Sequence, residues 1–262
     1  MNFVSQTGAR AIERAHRLLH LLALVAAVLG VAVRPRKWRL TVRDVLARQI
    51  LFTGVDATRF VATIAFMVGV SVVVQAQMWL GKVGQTGLLG PLLITVIVRE
   101  LGPLLTNFVV IGRSGTAIAT ELGSMRVNGE IRVLDAQGLD PFQYLVVPRV
   151  LGMAISVFCL SVIFVVVSLL SGYLVGLAVG ATSMDPLSFN DTVLAGVSQA
   201  DVWNFLIKSL VPGLLTGGIC CTEGLSVNSS ITEVPQAATR AVVRSITALF
   251  LTSALVSVVT YL

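Results

Sequence analysis

Two charged residues stand where charge is costly. Arg99 and Glu100 interrupt the run from Leu88 to Ile111, which is otherwise apolar and long enough to cross a bilayer. An ionised side chain at that depth costs roughly 3 kcal/mol or more, so such residues usually face protein or water and mark function. Neighbouring residues on a helix point about 100° apart, and Arg99 and Glu100 therefore need partners on other helices or on another subunit. Pro103 has no N–H to offer the Arg99 carbonyl four residues back, which frees an acceptor and favours a kink. Asn107, one turn further on, adds an amide to the same polar intramembrane group. Two readings stay open: a buried ion pair that only fixes helix packing, or the polar lining or gate of a substrate path.

A second group follows in the chain. Gly112, Gly115 and Ala119, with Ser114, Thr116 and Ala117 between them, make a small-residue face that lets helices approach closely. Then come Glu121, Arg126, Glu130, Arg132 and Asp135, interleaved with Leu122, Met125, Ile131 and Leu134. Charges of both signs on an amphipathic helix suit a surface that docks a protein partner better than one that binds lipid. A solvated connecting helix is the plain alternative.

Other chemistries lack their residues. No GxxxxGK[ST] phosphate loop occurs, and neither HExxH nor GxSxG is present. His16 and His20 share a helical face but have no third ligand. Cys159, Cys220 and Cys221 lie in or at the edge of apolar segments without metal-ligand spacing. No catalytic residue, metal or cofactor is expected, and energy from ATP must come from another polypeptide. A proton-coupled carrier usually holds several intramembrane acids, whereas Glu100 stands nearly alone.

The elements that must position these residues are membrane helices. Of 262 residues only 12% are charged, against roughly 25% in soluble domains, too little polar surface for a globule in water. Continuous apolar runs, rather than short alternating segments, exclude a barrel. The sequence predicts five spans: about Phe60–Leu80, Leu88–Ile111, Val150–Gly180, Val202–Cys221 and Ala241–Leu262. Residues 1–59 hold ten Lys or Arg against Glu13, Asp44 and Asp56, so the basic excess precedes the first span and places the N-terminus in the cytoplasm. Nucleic-acid binding is the rival explanation of that charge; an anionic lipid surface explains it more simply.

Residues 1–59 are thus read as N-terminal interfacial helices, with Leu18–Val33 lying in the interface or forming a further span, and Arg34–Arg59 an amphipathic connector. Residues 60–262 are the five-span domain, with a cytoplasmic segment at 112–148. Lys82–Gly87 is a short outer turn, Ala181–Gln199 an outer loop and Thr222–Arg240 a cytoplasmic return. Lys208 falls near the outer end of the fourth span, where it can snorkel.

Arg99 to Val150 carries a recognisable combination: RELGP, GRSG, ELGSMRV followed by Glu130-Ile131, and GLDP leading to PRV. It resembles the MlaE/YrbE family of ABC-transporter permeases that serve MCE-type lipid transport systems, and length and span count extend the resemblance over essentially the whole chain. The stretch Ser226–Ala238 departs from the family's glycine-rich pattern, and the register past Ile131 does too. The resemblance implies a homodimeric permease of the bacterial inner membrane or the related plastid envelope, with phospholipid as cargo. Its partners would be a cytoplasmic ABC ATPase, an MCE-domain protein on the outer side and, in some systems, a STAS-domain regulator. It also implies that Glu121–Leu134, with Gly123, Met125, Arg126 and Glu130, is a coupling helix fitting a groove on the ATPase, with Arg113 just before it. Arg99 and Glu100 would lie near a lipid cavity at the dimer interface. An ATP-independent carrier or channel, and a scaffold that recruits soluble partners, are the alternatives.

Overall fold

The computed structural model describes residues 3–33, 40–180, 185–228 and 230–261, and all regular structure in them is helical. Five rods are long and apolar enough to cross a membrane: Val42–Val83, Leu89–Val127, Phe142–Ala178, Gln199–Leu225 and Ile231–Thr260, here spans 1 to 5. The expected polytopic all-α class is confirmed. In hydrocarbon every N–H and C=O must be satisfied within the protein, and a helix does so segment by segment.

Close approaches fix the directions. A Cβ on Gly69 would lie 2.1 Å from the Ser168 carbonyl, and one on Gly172 would lie 2.3 Å from Val73 Cβ, so spans 1 and 3 run parallel with backbones almost touching. Gly213 meets Ala154 and Gly217 meets Val150, so spans 3 and 4 are antiparallel. Small residues permit these separations, where dispersion and weak polar contacts replace the hydrophobic drive available in water. The rods alternate up and down, and two ends result. Residues 84–88 and 179–198 join spans at the turn end; residues 128–141 and 226–230 join them at the link end.

Three boundaries differ from expectation. Span 1 starts at Val42 rather than Phe60, because the connector continues as helix through a widened π turn at Leu51–Val55. The expected division between residues 59 and 60 therefore falls inside one rod, anchored where Gln49 Nε2 donates to Thr53 Oγ1 at 2.7 Å and packs beneath Gly152. Arg34, Arg36, Lys37 and Arg39 lie outside the described residues. Span 2 does not stop at Ile111 but continues to Val127, since the small-residue face at Gly115 and Ala119 is buried against span 4. There the Cβ of a side chain at Gly115 would be 3.1 Å from Cys220 Sγ, and one at Gly224 would be 2.7 Å from the Ala119 carbonyl. The connection expected as an outer loop contains an unexpected helix, Pro186–Ala195, which backs onto Gly90 and stacks Phe189 against Tyr173 with ring centroids 4.6 Å apart.

The N-terminal helix Phe3–Ala32 rests on span 4, with Leu21, Leu24 and Val25 around Gly218 and Val28 buried. Its apolar part, Leu19–Ala32, is shorter than the five rods; at 1.5 Å per residue it covers about 21 Å of a roughly 30 Å hydrocarbon core.

Candidate functional site

Span 2 changes helical pitch where its charges lie. Residues Ile94–Leu101 form π-helical turns, with the Gly102 N–H reaching the Ile97 carbonyl five residues back. Pro103 follows immediately and is buried. A proline ring clashes with the carbonyl four residues earlier, and widened turns of this kind recur at functional sites. The expected irregularity at Pro103 is thus a widened turn.

The freed carbonyl is used. Lys208 of span 4 donates from Nζ to the Arg99 carbonyl at 3.1 Å, to Glu100 Oε1 at 2.5 Å and to Ser257 Oγ at 2.6 Å. Ser257, on span 5, in turn donates to Glu100 Oε1 at 2.9 Å. The three donors of an ammonium are thereby matched by three acceptors from two other spans. Lys208 does not snorkel: its side chain is only 2% exposed, while that of Glu100 is 41% exposed. Arg99 turns the other way, placing Nε 2.6 Å from Asp201 Oδ1. Asp201 also closes the N-terminus of span 4 in a reciprocal capping box with Ser198, which holds the carboxylate in place for the arginine. Asp201 and Lys208 stand two turns apart on one face of span 4, about 10 Å along its axis. Arg99 and Glu100 thus reach past each other to partners on another helix, as their adjacency requires. Asn107 completes the group, its Nδ2 donating to the carbonyls of Pro103 at 2.8 Å and Lys208 at 3.5 Å.

The second set of residues divides. Arg113 stays within the bundle, donating to the Phe52 carbonyl at 2.9 Å, capping the Phe52 ring and lying 3.8 Å from Asp56, so it ties span 2 to span 1. Gly123 is buried, and a Cβ there would meet Val234 at 3.3 Å and Val227 at 3.4 Å. Met125 packs on the core. Arg126 and Glu130 are exposed, as is Glu121, whose Oε1 nonetheless accepts from Arg149 at 2.7 Å. The segment is not one helix: Gly129, at φ 76°, breaks it, and Glu130–Ala136 is a separate short helix. An Asn128 amide donates to Glu130 across that break at 3.3 Å.

Sequence reasoning found Arg99 and Glu100 but not their partners. Asp201 falls between the expected outer loop and the expected fourth span, and Ser257 is one of several serines in an apolar helix. Arg149, buried at the start of span 3, and Glu223, buried between Arg240 and Arg244, were likewise missed. A buried charge implies a counter-charge, and that rule applied to Lys208 is the signal that could have exposed the pairing.

Five apolar rods closed around paired intramembrane charges define a polytopic α-helical membrane protein with a polar centre. The comparisons with known proteins identify it further. The family described as Permease MlaE matches residues 46–259, and this chain belongs to that family. It is 32% identical over 207 residues to a probable ABC transporter permease protein of Rickettsia prowazekii, covering 77% of each chain. It is 27% identical over 201 residues, 76% of each chain, to the intermembrane phospholipid transport system permease protein MlaE of Haemophilus influenzae. The chloroplastic protein TRIGALACTOSYLDIACYLGLYCEROL 1 of Arabidopsis thaliana is 29% identical over 84% of this chain and 62% of its own.

Proposed function

We propose that this chain is the membrane-spanning subunit of an ATP-binding-cassette transporter that moves phospholipid between the inner and outer membranes of a bacterium. The observation that carries the reading is the Glu100–Lys208–Ser257 centre, with its Arg99–Asp201 neighbour, in a chain related to a protein named for intermembrane phospholipid transport. Lys208 is sealed, yet the Glu100 carboxylate opens to the outside of the bundle. A headgroup carrying both charges, or a phosphate alone, can exchange with these pairs, while the surrounding apolar helices accept acyl chains.

On this reading the link end faces the cytoplasm, consistent with the basic excess of residues 1–59. Arg126, Glu130 and the free side of Glu121 meet a separate ATPase subunit, which performs the hydrolysis. Two copies form the permease, with span 5, the least buried of the five, available for pairing. An MCE-domain protein receives lipid at the turn end, and a STAS-domain regulator joins in systems that have one.

The test is reconstitution in liposomes with an ABC ATPase and an MCE-domain protein from the same organism, reading transfer of a labelled phospholipid. Glu100→Gln should leave the complex assembled and stop transfer. Unchanged transfer would reduce the centre to a packing device, and failure to copurify any ATPase would remove the transporter reading altogether.

A further inference from the structure

Two widened turns lie at one level of the bundle, apart from the Glu100 centre. In span 1, at Leu51–Val55, the Asp56 N–H reaches the Leu51 carbonyl, whereas in a regular helix it would serve Phe52, four residues back. In span 2, at Ile111–Gly115, the Thr116 N–H turns to the Arg113 carbonyl and leaves Gly112 without its regular donor. Side chains take over both carbonyls. Thr116 Oγ1 donates to the Gly112 carbonyl at 2.8 Å and to that of Arg113 at 2.9 Å. The Phe52 carbonyl is taken from across the interface, by Arg113 Nη1 at 2.9 Å. The guanidinium that holds the widened turn of span 1 thus belongs to the widened turn of span 2.

Both turns bear on the same turn of span 3. A Cβ on Gly54 would lie 3.1 Å from Ser156 Oγ, and one on Gly115 would lie 3.7 Å from Met153 Cε. Span 3 is regular α-helix there, from Val147 to Ala178; its own widened turn, Phe142–Val146, lies nearer the link end. Spans 1 and 2 are anchored on either side of this level. Toward the turn end, Gly69 packs on Ser168 and Lys208 holds the Arg99 carbonyl. Toward the link end, Gln49 packs on Gly152 and Ala119 on Gly224. Between these anchors the Ser114 and Ser156 hydroxyls are buried and find no hydrogen-bond partner among the described residues. They are spare donors for carbonyls that a bend uncovers. Arg113 is thirteen residues from Glu100, about 20 Å along the axis.

We propose that Leu51–Val55 and Ile111–Gly115 form one hinge, and that Arg113 makes the two turns bend together. A helix bends sharply where its regular ladder is interrupted, π turns included, and such turns recur at functional sites. The arms are the link-end segments Leu40–Ile50 and Thr116–Val127, which tilt while span 3 serves as the post. Opening either turn separates the Phe52 carbonyl from Arg113, so neither opens without breaking the same charge-assisted bond. The Asp56 contact adds little, at 3.8 Å between side chains 34% and 59% exposed; the bond to the carbonyl is the latch. The hinge follows from the packing of a single chain and does not rest on lipid transport, so its failure would leave the proposed function standing.

The test is hydrogen–deuterium exchange of the full-length chain in detergent, read by mass spectrometry over residues 51–56, 111–116 and 147–157. In the parent chain the first two segments should show the same protection, within about twofold, and exchange about tenfold or more faster than span 3 beside them. Arg113→Met keeps an unbranched side chain and removes its donors. Exchange should then rise about tenfold in both segments, the effect of losing one charge-assisted bond, with 147–157 unchanged. Arg113→Lys keeps a donor for the Phe52 carbonyl and should exchange close to the parent. A rise confined to residues 51–56 overturns the hinge and makes Arg113 a tie for span 1 alone. A rise that extends to 147–157 overturns it too, assigning Arg113 to the stability of the whole bundle. Protection in the parent that differs about tenfold between the two segments has the same force. Arg113→Lys exchanging like Arg113→Met overturns the Phe52 carbonyl as the latch.

Discussion

The ammonium of Lys208 donates to the main-chain carbonyl of Arg99 at 3.1 Å, taking the acceptor that Pro103 leaves without its helical donor. One side chain thus binds the backbone of span 2, the carboxylate of Glu100 and the hydroxyl of Ser257 on span 5. The two partners of the ion pair differ in burial, and the difference has a consequence. Deleting Glu100 strands a cation that is 2% exposed, whereas deleting Lys208 leaves a carboxylate that is 41% exposed and can be hydrated. Breaking a buried pair from one side costs about 3–5 kcal/mol, while replacing both members by apolar residues is often neutral. Glu100→Leu should therefore lower unfolding stability by about 3 kcal/mol, Lys208→Met by clearly less, and the double variant should recover most of the loss. Thermal unfolding of the purified variants in one detergent checks this; equal losses from the two single variants would mean that Glu100 is as buried as Lys208 in the working assembly.

Pro103 makes the widened turn necessary, and an alanine there would remove the need. Pro103→Ala restores an N–H for the Arg99 carbonyl, allows a regular helix and deprives Lys208 of one acceptor. Removing a helix-interior proline relieves up to about 3 kcal/mol, so stability should hold or rise. Lipid transfer should fall severalfold, because Arg99 and Glu100 rotate away from Asp201 and Lys208 when the turn tightens. Transfer and melting temperature measured on the same preparation separate these effects: a fall in both would assign Pro103 to packing alone.

Particular residues show how much of this the sequence carries. Arg99 and Glu100 were legible because charge in an apolar run is costly wherever it occurs, and the five spans because backbone in lipid has few options. The family was legible from RELGP through PRV, and it holds. Lys208 was misread because a lysine within reach of a membrane surface snorkels unless a counter-charge is in place, and Glu100 lies more than one hundred residues away in the chain. The helix Pro186–Ala195 is short and interrupted by Asn190, Asp191 and Thr192, and it is supported by packing on Gly90 rather than by its own periodicity. Gly115 and Ala119 announced close approach correctly, but nothing local said that the helix they occupy would run on to Val127.

Spans 1 and 3 depend on glycine at defined positions, and this can be measured independently of transport. A Cβ on Gly172 would lie 2.3 Å from Val73 Cβ and 2.6 Å from the Gly69 carbonyl, so both backbones would have to separate. Gly172→Leu should destabilise the protein by about 3 kcal/mol or more, beyond ordinary overpacking, and reduce the yield of folded protein. Gly112, whose Cβ would meet nothing within 4 Å, is the matched control: Gly112→Ala should be neutral or stabilising by a few tenths of a kcal/mol. A tolerated Gly172→Leu would show that the two spans do not pack face to face as described.

The link-end surface yields a sharper test once Arg149 is taken into account. On composition alone Glu121 and Arg126 look like equivalent docking charges, but Glu121 neutralises a guanidinium that is only 6% exposed, whereas Arg126 is exposed. Glu121→Lys would set a second cation against buried Arg149, so it should cost stability, about 3 kcal/mol as for other broken buried pairs, and any loss of partner binding would be ambiguous. Arg126→Glu reverses a surface charge with little effect on the fold, since such substitutions usually stay within about 0.5 kcal/mol. If the exposed residues of this segment dock an ATPase, Arg126→Glu should reduce its copurification about tenfold or more, as like-charge juxtaposition across an interface does, with an unchanged melting temperature. Full copurification of the ATPase with Arg126→Glu would move the docking surface away from Arg126, and Glu130→Lys, on the far side of the Gly129 break, then becomes the variant that tests whether the short helix Glu130–Ala136 carries it.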